Sequence, residues 1–483
     1  MRTAHPVETV RAAERALMAT LPEGTLMTRA AAGLAAAAAE LLRPRLYGAR
    51  VVLLIGSGDN GGDALYAGAR LARRGAAVTA LLLRPERAHP GGVAALRAAG
   101  GRTDDAATPG ADGRVDGAAL VVDGITGIGG HGGLRQDAAR LVARVAAAGV
   151  PVLAVDLPSG VEADTGKVPG EAVRAAMTVT FGTYKPGLLV DPGREYAGEV
   201  RLVDIGLGPH LPHDPAVSAL GRAEVAALLP RPSAESDKYR RGVVGVVAGS
   251  ARYPGAAVLA VGGALRGGAG AVRYSGPAAD AVIARYPEAL VSTGTPREAG
   301  RVQAWIVGPG LGQDPDAPRR VDDVLDADVP VLIDADGLRG LDPARLRARS
   351  APTLLTPHAG EAAALLGADR AEVEASRLAS VRELAARYGA TALLKGSTTL
   401  IAAPEGGTVR VNPTGTPWLA TAGSGDVLSG LTGALLAAGL GPLDAASVGA
   451  YLHGLAGSLA QAPPTASTVG EALPEAWARV TDA

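Results

Sequence analysis

Short apolar runs alternate with helical segments along most of the chain. The first run, VVLLI at 51–55, is followed by a glycine-rich turn and a helical pattern that extends to about residue 74. Later runs in the first half are AVTALLL (77–83), ALVVD (119–123), VPVLAVD (150–156), MTVTF (177–181) and EVRLVDI (199–205), with a helical segment near 136–148. Short apolar strands separated by helices are typical of a mostly parallel sheet that is covered on both faces.

A second alternation of the same kind starts after the turn-rich segment GLGPHLPHDP at 206–215. Its strands are predicted at GVVGVVAGS (242–250), AWIVG (304–308), VPVLIDAD (329–336), PTLLT (352–356) and TALLK (391–395), before a glycine-opened helix from about 424. A length of 483 residues suits two or more domains. The pattern therefore predicts two α/β domains, residues 1–213 and 214–483.

Composition and charge narrow the classes of partner. Lys plus Arg (47) nearly cancels Asp plus Glu (48), so no overall basic field exists to hold nucleic acid or an anionic membrane. The N-terminus reads as a helix carrying Glu8 and Glu14 rather than as a secretory signal, and no long uncharged apolar run follows. The absence of cysteine excludes disulfides, thiolate metal sites and a Cys nucleophile. We expect a cytoplasmic protein whose phosphate binding is local.

The turn GSGDNGGDA at 56–64 directly follows a predicted strand and opens a helix. Glycines in this context let a ligand approach the backbone, and free amides at the helix start attract negative charge. The spacing matches neither the dinucleotide fingerprint nor the lysine-bearing P-loop. Asp59, Asn60 and Asp63 add oxygen ligands that glycine packing alone would not need, although a merely tight turn remains the alternative.

Two later strand ends of this half also carry polar side chains. Asp123 precedes a loop with six glycines, and Asp156 and Ser159 follow the next apolar run. Ligands of parallel sheets bind outside the carboxyl ends of the strands. Oxygen groups from Asn60, Asp123 and Ser159 would suit a hard cation, which leaves Asp156 as an acid/base group. A helix N-cap is the alternative for each aspartate.

The segment ATAGSGDVLSG at 420–430 is the strongest single motif of the chain. Gly423 and Gly425 open a helix whose amides can hold a transferring phosphoryl group. Asp426 then lies beside that hole and can take a proton from an attacking hydroxyl, as in a kinase. The alternative for Asp426 is a simple N-cap.

Further candidates lie upstream of this motif. Lys395 ends a predicted strand before a Gly-Ser-Thr turn, and it is one of four lysines against 43 arginines, which suggests a compact cation among phosphates. His358 lies at a strand–helix junction with Glu361 in the first helical turn, where a capping arrangement is the alternative. Asn412 stands in a turn that leads toward the GSGD segment.

Four ordered motifs of the first half, GSGDNGGD, VDGITGIGG, VDLPSGVEADTG and TFGTYKPG, resemble the N-terminal domain of the NAD(P)H-hydrate repair proteins, the family of the NAD(P)HX epimerase, over about residues 5–207. The resemblance implies potassium at Asn60, Asp123 and Ser159. It also implies that Asp156 takes part in the epimerisation with Lys185 nearby. Implied contacts to the hydrated nucleotide are Asp59, Asn60, Gly61, Gly62, Asp63, Gly127, Ile128, Gly129, Gly130, His131, Gly132, Gly133 and Asp156. Asp59 and Ala64 stand where the family usually has Asn and Gly.

The motifs of the second half resemble the ADP-dependent NAD(P)H-hydrate dehydratase, a ribokinase-like protein, over about residues 215–480. Implied contacts to the adenine nucleotide are Lys395, Gly396, Ser397, Thr398, Thr399 and Gly425. Implied contacts to the hydrate are Ala256, Gly310, His358 and Asp426, of which Asp426 is the base. Ala422 and Leu419 depart from the family's usual Gly and Met.

Together the resemblances imply a Rossmann-like epimerase domain at 1–213 fused to a ribokinase-like dehydratase domain at 214–483. The first would interconvert the R and S hydrates of NADH and NADPH, and the second would dehydrate the S form with ADP, releasing AMP and phosphate. Potassium, magnesium and a homo-oligomer are expected with it. Two other functions remain open: a small-molecule kinase with an accessory domain, because sugar and vitamin kinases share GxGD, and a nucleotide-binding regulatory module with an inert first domain.

Overall fold

The computed structural model describes residues 1–481. It divides into two compact units, one formed by Thr3–Val217 and the other by Ser218–Ala483 together with Met1–Arg2. The division falls four residues beyond the boundary predicted after residue 213, at the end of the turn-rich segment. The first two residues also belong to the second unit rather than to the first.

The chain starts with a short strand, β1 (Arg2–Ala4), before the strands and helices of the first unit. The strands are β2 (Arg50–Ile55), β3 (Ala77–Leu82), β4 (Arg102–Asp105), β5 (Leu120–Gly124), β6 (Val152–Val155), β7 (Met177–Phe181) and β8 (Glu199–Val203). The helices are α1 (Val7–Met18), α2 (Thr25–Leu41), α3 (Asp59–Arg73), α4 (Pro90–Ala98), α5 (Gln136–Ala148) and α6 (Gly193–Ala197).

Strands β2 to β8 form one fully parallel sheet in the order β4-β3-β2-β5-β6-β7-β8. All residues of β5, β6 and β7 are buried, as expected for a parallel sheet that is covered on both faces; β6 (VLAV) is a continuous apolar run, whereas β7 includes Thr178 and Thr180. The strand order reverses between β2 and β5. Ligands of doubly wound sheets bind at this reversal, outside the carboxyl ends of the strands.

The second unit repeats this architecture on a larger scale. Its strands are β9 (Val217–Ala219), β10 (Val243–Val247), β11 (Ala271–Ser275), β12 (Leu290–Ser292), β13 (Ala304–Val307), β14 (Val331–Ile333), β15 (Thr353–Leu355), β16 (Thr391–Leu394), β17 (Leu400–Ala402) and β18 (Val409–Val411). The helices are α7 (Arg222–Leu228), α8 (Pro254–Arg266), α9 (Ala279–Arg285), α10 (Ala317–Leu325), α11 (Pro343–Arg347), α12 (Ala359–Leu366), α13 (Arg370–Ala375), α14 (Arg377–Tyr388), α15 (Ser424–Ala437), α16 (Pro442–Leu459) and α17 (Ala466–Thr481).

The second sheet has the order β1-β9-β18-β17-β16-β15-β14-β13-β10-β11-β12. It is parallel from β12 to β16 and antiparallel between β16 and β18. The order reverses between β10 and β13, so the second unit has its own reversal of strand order. The α/β fold class with two parallel-sheet domains is confirmed.

Helix α15 is the central helix of the second core. It is buried along nearly its whole length, and it approaches α8 so closely that a Cβ on Gly430 would lie 2.1 Å from the Ala260 carbonyl oxygen. Glycine is therefore required at this contact, and it allows α15 and α8 to pack closely. Among residues 1–481, no helix combines the length and apolar character needed to cross a bilayer.

Candidate active sites

A cavity of about 1320 Å³ opens at the reversal of strand order in the first unit. Its walls are formed partly by the loops that follow β2, β5 and β6. Of the residues implied to contact the hydrated nucleotide, those lining the cavity are Asp59, Asn60, Asp63, Gly127, Ile128, Gly129, Gly130, His131, Gly133 and Asp156. Gly61 and Gly62 are buried instead. A Cβ on Gly61 would lie 2.7 Å from the Gly56 carbonyl oxygen, so this glycine permits the tight turn.

Asp156 and Lys185 form a buried ion pair at this cavity. Asp156 directly follows β6 and adopts φ +65°, a left-handed conformation that costs about 1–3 kcal/mol in a residue other than glycine. Lys185 is 1% exposed and donates to Asp156 Oδ1 at 2.5 Å, to Thr180 Oγ1 at 3.0 Å and to the Phe181 carbonyl oxygen at 3.1 Å. The ammonium is thus fixed, and it fixes the carboxylate at the cavity wall.

Two carboxyl groups at the cavity, those of Asp63 and Glu14, have raised pKa values. Burial raises the pKa of Asp63 well above its usual value, and the nearby Asp156, Asp59 and Glu14 raise it further. Burial raises the pKa of Glu14 too, against the opposing effect of Lys185. Protonation of these groups reduces the negative charge that a dinucleotide would otherwise meet. Glu14 did not stand out in the sequence because it lies on α1, far from every glycine motif.

The residues implied to bind potassium do lie together. The Ser159 amide and hydroxyl donate to Asp123 at 2.8 and 2.7 Å, and Asn60 Nδ2 donates to the Thr126 carbonyl oxygen at 3.0 Å. Burial raises the pKa of Asp123 to about 6, although the hydrogen bonds from Ser159 oppose the shift. One carboxylate among neutral oxygens fits a hard cation. No group of three or more His, Cys, Asp or Glu side chains suited to a metal occurs within residues 1–481.

In the second unit, Lys395 lies at the end of β16 beside the start of α15. Its Nζ donates to Asp334 Oδ1 at 2.6 Å and is 3.9 Å from Glu361 Oε2. Burial alone would lower the pKa of Lys395, but the two carboxylates outweigh it and the pKa is raised. A Cβ on Gly425 would be only 3.5 Å from Nζ, so the GSGD segment and Lys395 face the same space.

Asp426 lies in the first turn of α15, where its surroundings favour the neutral form. Burial raises the pKa of Asp426 to about 7, and Asp334 and Asp336 raise it while Lys395 lowers it. The N-cap of α15 is Gly423, so the alternative of Asp426 as a cap does not hold. A carboxylate with a pKa near neutrality is suited to accept a proton at physiological pH.

Asp334 was missed at the sequence level, although it shows the same signal as Asp123. It follows β14 directly, is almost fully buried, and accepts from Ser429 Oγ at 2.7 Å as well as from Lys395. It therefore links the end of a strand to α15 and positions the lysine. Its carboxyl-end location in the VPVLIDAD run would have identified it.

Arg377 was also missed, and its sequence context carries no signal. This buried arginine at the start of α14 donates to three carbonyl oxygens of the nucleotide loop: Leu394 at 3.2 Å, Lys395 at 3.0 Å and Thr398 at 3.1 Å. A Cβ on Gly396 would lie 2.3 Å from its guanidinium, which explains the glycine. The Arg377 side chain thus supports the loop that is implied to bind the adenine nucleotide.

Of the residues implied to contact the hydrate, two lie next to each other and a third caps a helix. Ala256 and Gly310 are neighbours at the reversal of the second sheet, since a Cβ on Gly310 would lie 2.5 Å from that of Ala256. His358 caps α12: its Nδ1 accepts from the Gly360 and Glu361 amides, and its own amide donates to Glu361. The capping arrangement that the sequence offered as the alternative is therefore present. It leaves the exposed His358 ring next to Glu361, which also lies near Lys395.

Asn412 does not serve the GSGD segment as its position in the sequence suggested. Its side-chain amide donates to the Thr414 and Ala450 carbonyl oxygens, at 2.9 and 3.1 Å. The residue is buried and attaches the turn after β18 to α16. The sequence does not distinguish a ligand-binding asparagine from a structural one here, because the Asn412 partner on α16, Ala450, lies 38 residues further along the chain.

Comparison with known proteins identifies the family to which each half of the chain is similar. Residues 23–187 match the family described as YjeF-related protein N-terminus, and residues 244–477 match the family described as NAD(P)H-hydrate dehydratase. The chain is 50% identical to the bifunctional NAD(P)H-hydrate repair enzyme Nnr of Mycobacterium leprae, over 96% of this chain and 95% of that one. The chain belongs to the family of bifunctional NAD(P)H-hydrate repair enzymes.

Other members of this repair family are more distant. The relative from Corynebacterium glutamicum is 36% identical, and the match covers 89% of each chain. Among solved structures, the ADP/ATP-dependent NAD(P)H-hydrate dehydratase of Bacillus subtilis, co-crystallised with ATP and Mg²⁺, is 33% identical with a TM-score of 0.50 and covers 55% of this chain and 99% of that one. The chain is therefore a repair enzyme, as its motifs implied.

Proposed function

We propose that residues 1–213 epimerise the R and S hydrates of NADH and NADPH, and that residues 214–483 dehydrate the S form at the expense of ADP. The observation that carries the proposal is the presence of two separately built sites, the first at the strand-order reversal of its sheet and the second beside the ends of β14 and β16. One holds the Asp156–Lys185 pair and the other holds Asp426 beside Lys395.

The dehydration follows from the second site. The hydrate's hydroxyl is a poor leaving group, so its oxygen first attacks the β-phosphorus of ADP, and AMP leaves. Asp426 takes the hydroxyl proton, while Lys395 and the amides that start α15 stabilise the phosphoryl group in transfer. Phosphate then departs with the C–O electrons, a ring proton is lost, and NAD(P)H is restored.

The epimerisation follows from the first site. Asp156 is fixed at the cavity wall by Lys185, by the Thr180 hydroxyl at 3.0 Å and by the Phe181 amide at 3.3 Å. A carboxylate held in this way can take the proton of the hydrate's hydroxyl as the adjacent ring C–N bond opens to an aldehyde, and return it when the nitrogen closes on the other face of the carbonyl. Asp156 keeps its positive φ at the cavity wall, a strained conformation of the kind that clusters at functional sites.

Two cations belong to the proposal. Asn60, Asp123 and Ser159 would hold potassium, which supplies positive charge near the nucleotide's phosphates. Magnesium fits the second unit only in part, because Asp334 is already engaged by Lys395 and Ser429. We therefore expect magnesium to be held mainly by the nucleotide's phosphates and by water, as is usual for this ion. A cytoplasmic homo-oligomer stays a prediction from the sequence.

The test supplies mixed R and S hydrates of NADH to the chain with ADP and follows the absorbance of reduced nicotinamide. Full recovery supports both activities. Recovery of the S fraction alone would remove the epimerase, and phosphorylated hydrate without NADH would support the small-molecule kinase instead. The same mixture without ADP is the matched control, since dehydration then has no phosphoryl donor.

A further inference from the structure

One wall of the first cavity consists of residues that the epimerisation does not use. Leu83 and Arg84 follow β3, Asp137 lies in the first turn of α5, and Tyr66 and His89 lie close by. The cavity volume of about 1320 Å³ exceeds the roughly 300–1,000 Å³ of ordinary small-molecule pockets. The space next to this wall can therefore hold the adenosine half of a dinucleotide whose nicotinamide half lies at Asp156.

The position of Arg84 in the fold identifies what it could bind. In dinucleotide-binding sheets with this strand order, the glycine-rich turn follows one strand, and a second strand lies next to it. The side chain at the end of that second strand meets the ribose 2′ position of the dinucleotide. An acidic residue there binds a 2′-hydroxyl, whereas an arginine accommodates a 2′-phosphate. In this chain β3 is that strand, and it is followed by Leu83 and Arg84 rather than by an acid.

The contacts of Arg84 keep its guanidinium at the cavity. One guanidinium nitrogen donates to the Leu83 carbonyl oxygen at 2.6 Å and to Asp137 Oδ2 at 2.5 Å. The Asp137 carboxylate thus lies where an incoming anion would bind. Both side chains are partly exposed, at 41% and 38%, and exposed pairs contribute little to stability. A phosphate, with more charge and a geometry that matches the guanidinium, can displace the carboxylate.

We infer that Arg84, paired with Asp137 in the free protein, forms a subsite for the 2′-phosphate of hydrated NADPH, so that the first unit favours hydrated NADPH over hydrated NADH. This inference rests on the proposed epimerase function. Tyr66 and His89 also line this cavity, with ring centroids 5.6 Å apart, and either ring could pack against a base.

The test compares Arg84→Gln with Arg87→Gln in the full chain. Arg87 lies three residues further along the same turn, is exposed and is absent from the cavity wall, so its loss removes the same charge without the contact. The R epimers of both hydrates are supplied without ADP, and formation of the S epimers is followed by chromatography. Because Arg84 is only half-buried, equal thermal melting of both variants and the parent is expected.

Arg84→Gln should lower kcat/KM for hydrated NADPH about tenfold, the effect of losing one hydrogen bond between charged groups, and leave hydrated NADH within twofold. Asp137→Asn should lower KM for hydrated NADPH alone, because the competing carboxylate is gone. The inference is overturned, while the epimerase function stands, if Arg84→Gln leaves the ratio of kcat/KM for the two hydrates unchanged. It is also overturned if Arg87→Gln shifts this ratio as much as Arg84→Gln does. Failure of the parent chain on both hydrates overturns the proposed function and the inference with it.

Discussion

Asp426 is a carboxyl group whose surroundings set its proton affinity near neutrality. Burial raises its pKa to about 7, with Asp334 and Asp336 adding to the shift and Lys395 opposing it. Below this pH the group is protonated and cannot accept the hydroxyl proton. We therefore expect kcat/KM for dehydration to rise with pH and to level off above about 7, as measured by NADH recovery in a pH series. A rate that falls over the same interval would contradict the assignment.

The same residue gives a direct substitution test. Asp426→Asn keeps the shape of the side chain but removes its ability to take a proton. NADH recovery should be abolished, while ADP still binds in a titration and R-to-S conversion continues. Asp316→Asn, a change on the surface next to α10, is the matched control. Full activity of Asp426→Asn would show that another group is the base.

Substitutions at Lys185 test how much its ion pair with Asp156 contributes to stability, separately from its contribution to epimerisation. Lys185→Met leaves Asp156 buried without its partner, which costs about 3–5 kcal/mol, whereas the double variant Asp156→Asn/Lys185→Met removes both charges. The single variant should lower the free energy of unfolding of the first unit, and the double variant should recover much of it. Neither should epimerise. Circular dichroism follows both units, and the three tryptophans, all in the second unit, report that unit alone.

Equal stability of Lys185→Met and the parent would contradict the structural pairing. Loss of the second unit's tryptophan transition would indicate general misfolding instead.

Individual site residues could be predicted from the sequence where the signal was local. Asp123, Asp156 and Asp426 each stand at a strand or helix end beside glycines, and the structure places each of them there. The burial of Lys185 and the contacts of Arg377 could not be predicted, because they depend on residues brought together by the fold. Asp334 could have been predicted in the same way, because it follows β14 directly and Gly337 lies three residues further on, closer than Gly160 lies to Asp156.

At the scale of elements, the nucleotide loop after β16 depends on α14 for its shape. Arg377→Met removes the donor to three loop carbonyls but keeps a long buried side chain. We expect KM for ADP to rise about tenfold or more, since each charged hydrogen bond contributes roughly 1.5–3 kcal/mol, with kcat affected less. Initial rates of NADH recovery at varied ADP provide the measurement. Arg382→Met, on the same helix, is the control.

A KM for ADP that stays constant while kcat falls would show that Arg377 acts on the chemistry rather than on the loop. Unchanged epimerisation in the same preparation verifies that the chain is folded.

Strands were predictable where burial made the sequence mostly apolar. β5, β6 and β7 of the first unit and β10 of the second are buried at every position and match the predicted runs. β4 reads RTDD with no buried residue, because it lies at the sheet edge, and such a segment has no hydrophobic pattern to recognise. No single run predicts the strand order, so the position of the first site at a reversal of that order emerged only from the fold.

At the scale of the whole molecule, the described residues of each proposed site come from one unit. The first cavity is lined only by residues between Arg11 and Ile205, and the contacts of Lys395 and Asp426 come from the second unit. A hydrate that leaves one site can therefore be used by the other site of a different molecule. Because no residue is shared, loss of one activity should leave the other intact.

This independence predicts complementation between two variants that each lack one of the two activities. Asp156→Asn should recover the S hydrate quickly and the R hydrate only at the spontaneous rate, and Asp426→Asn should recover neither. An equimolar mixture should recover both at a rate that scales with the Asp426→Asn concentration, since the R-to-S conversion then takes place on that variant and the S hydrate diffuses to the other. Absorbance of reduced nicotinamide with ADP present measures this. A mixture that recovers no more R hydrate than Asp156→Asn alone would mean that the hydrate does not pass through solution between the two sites.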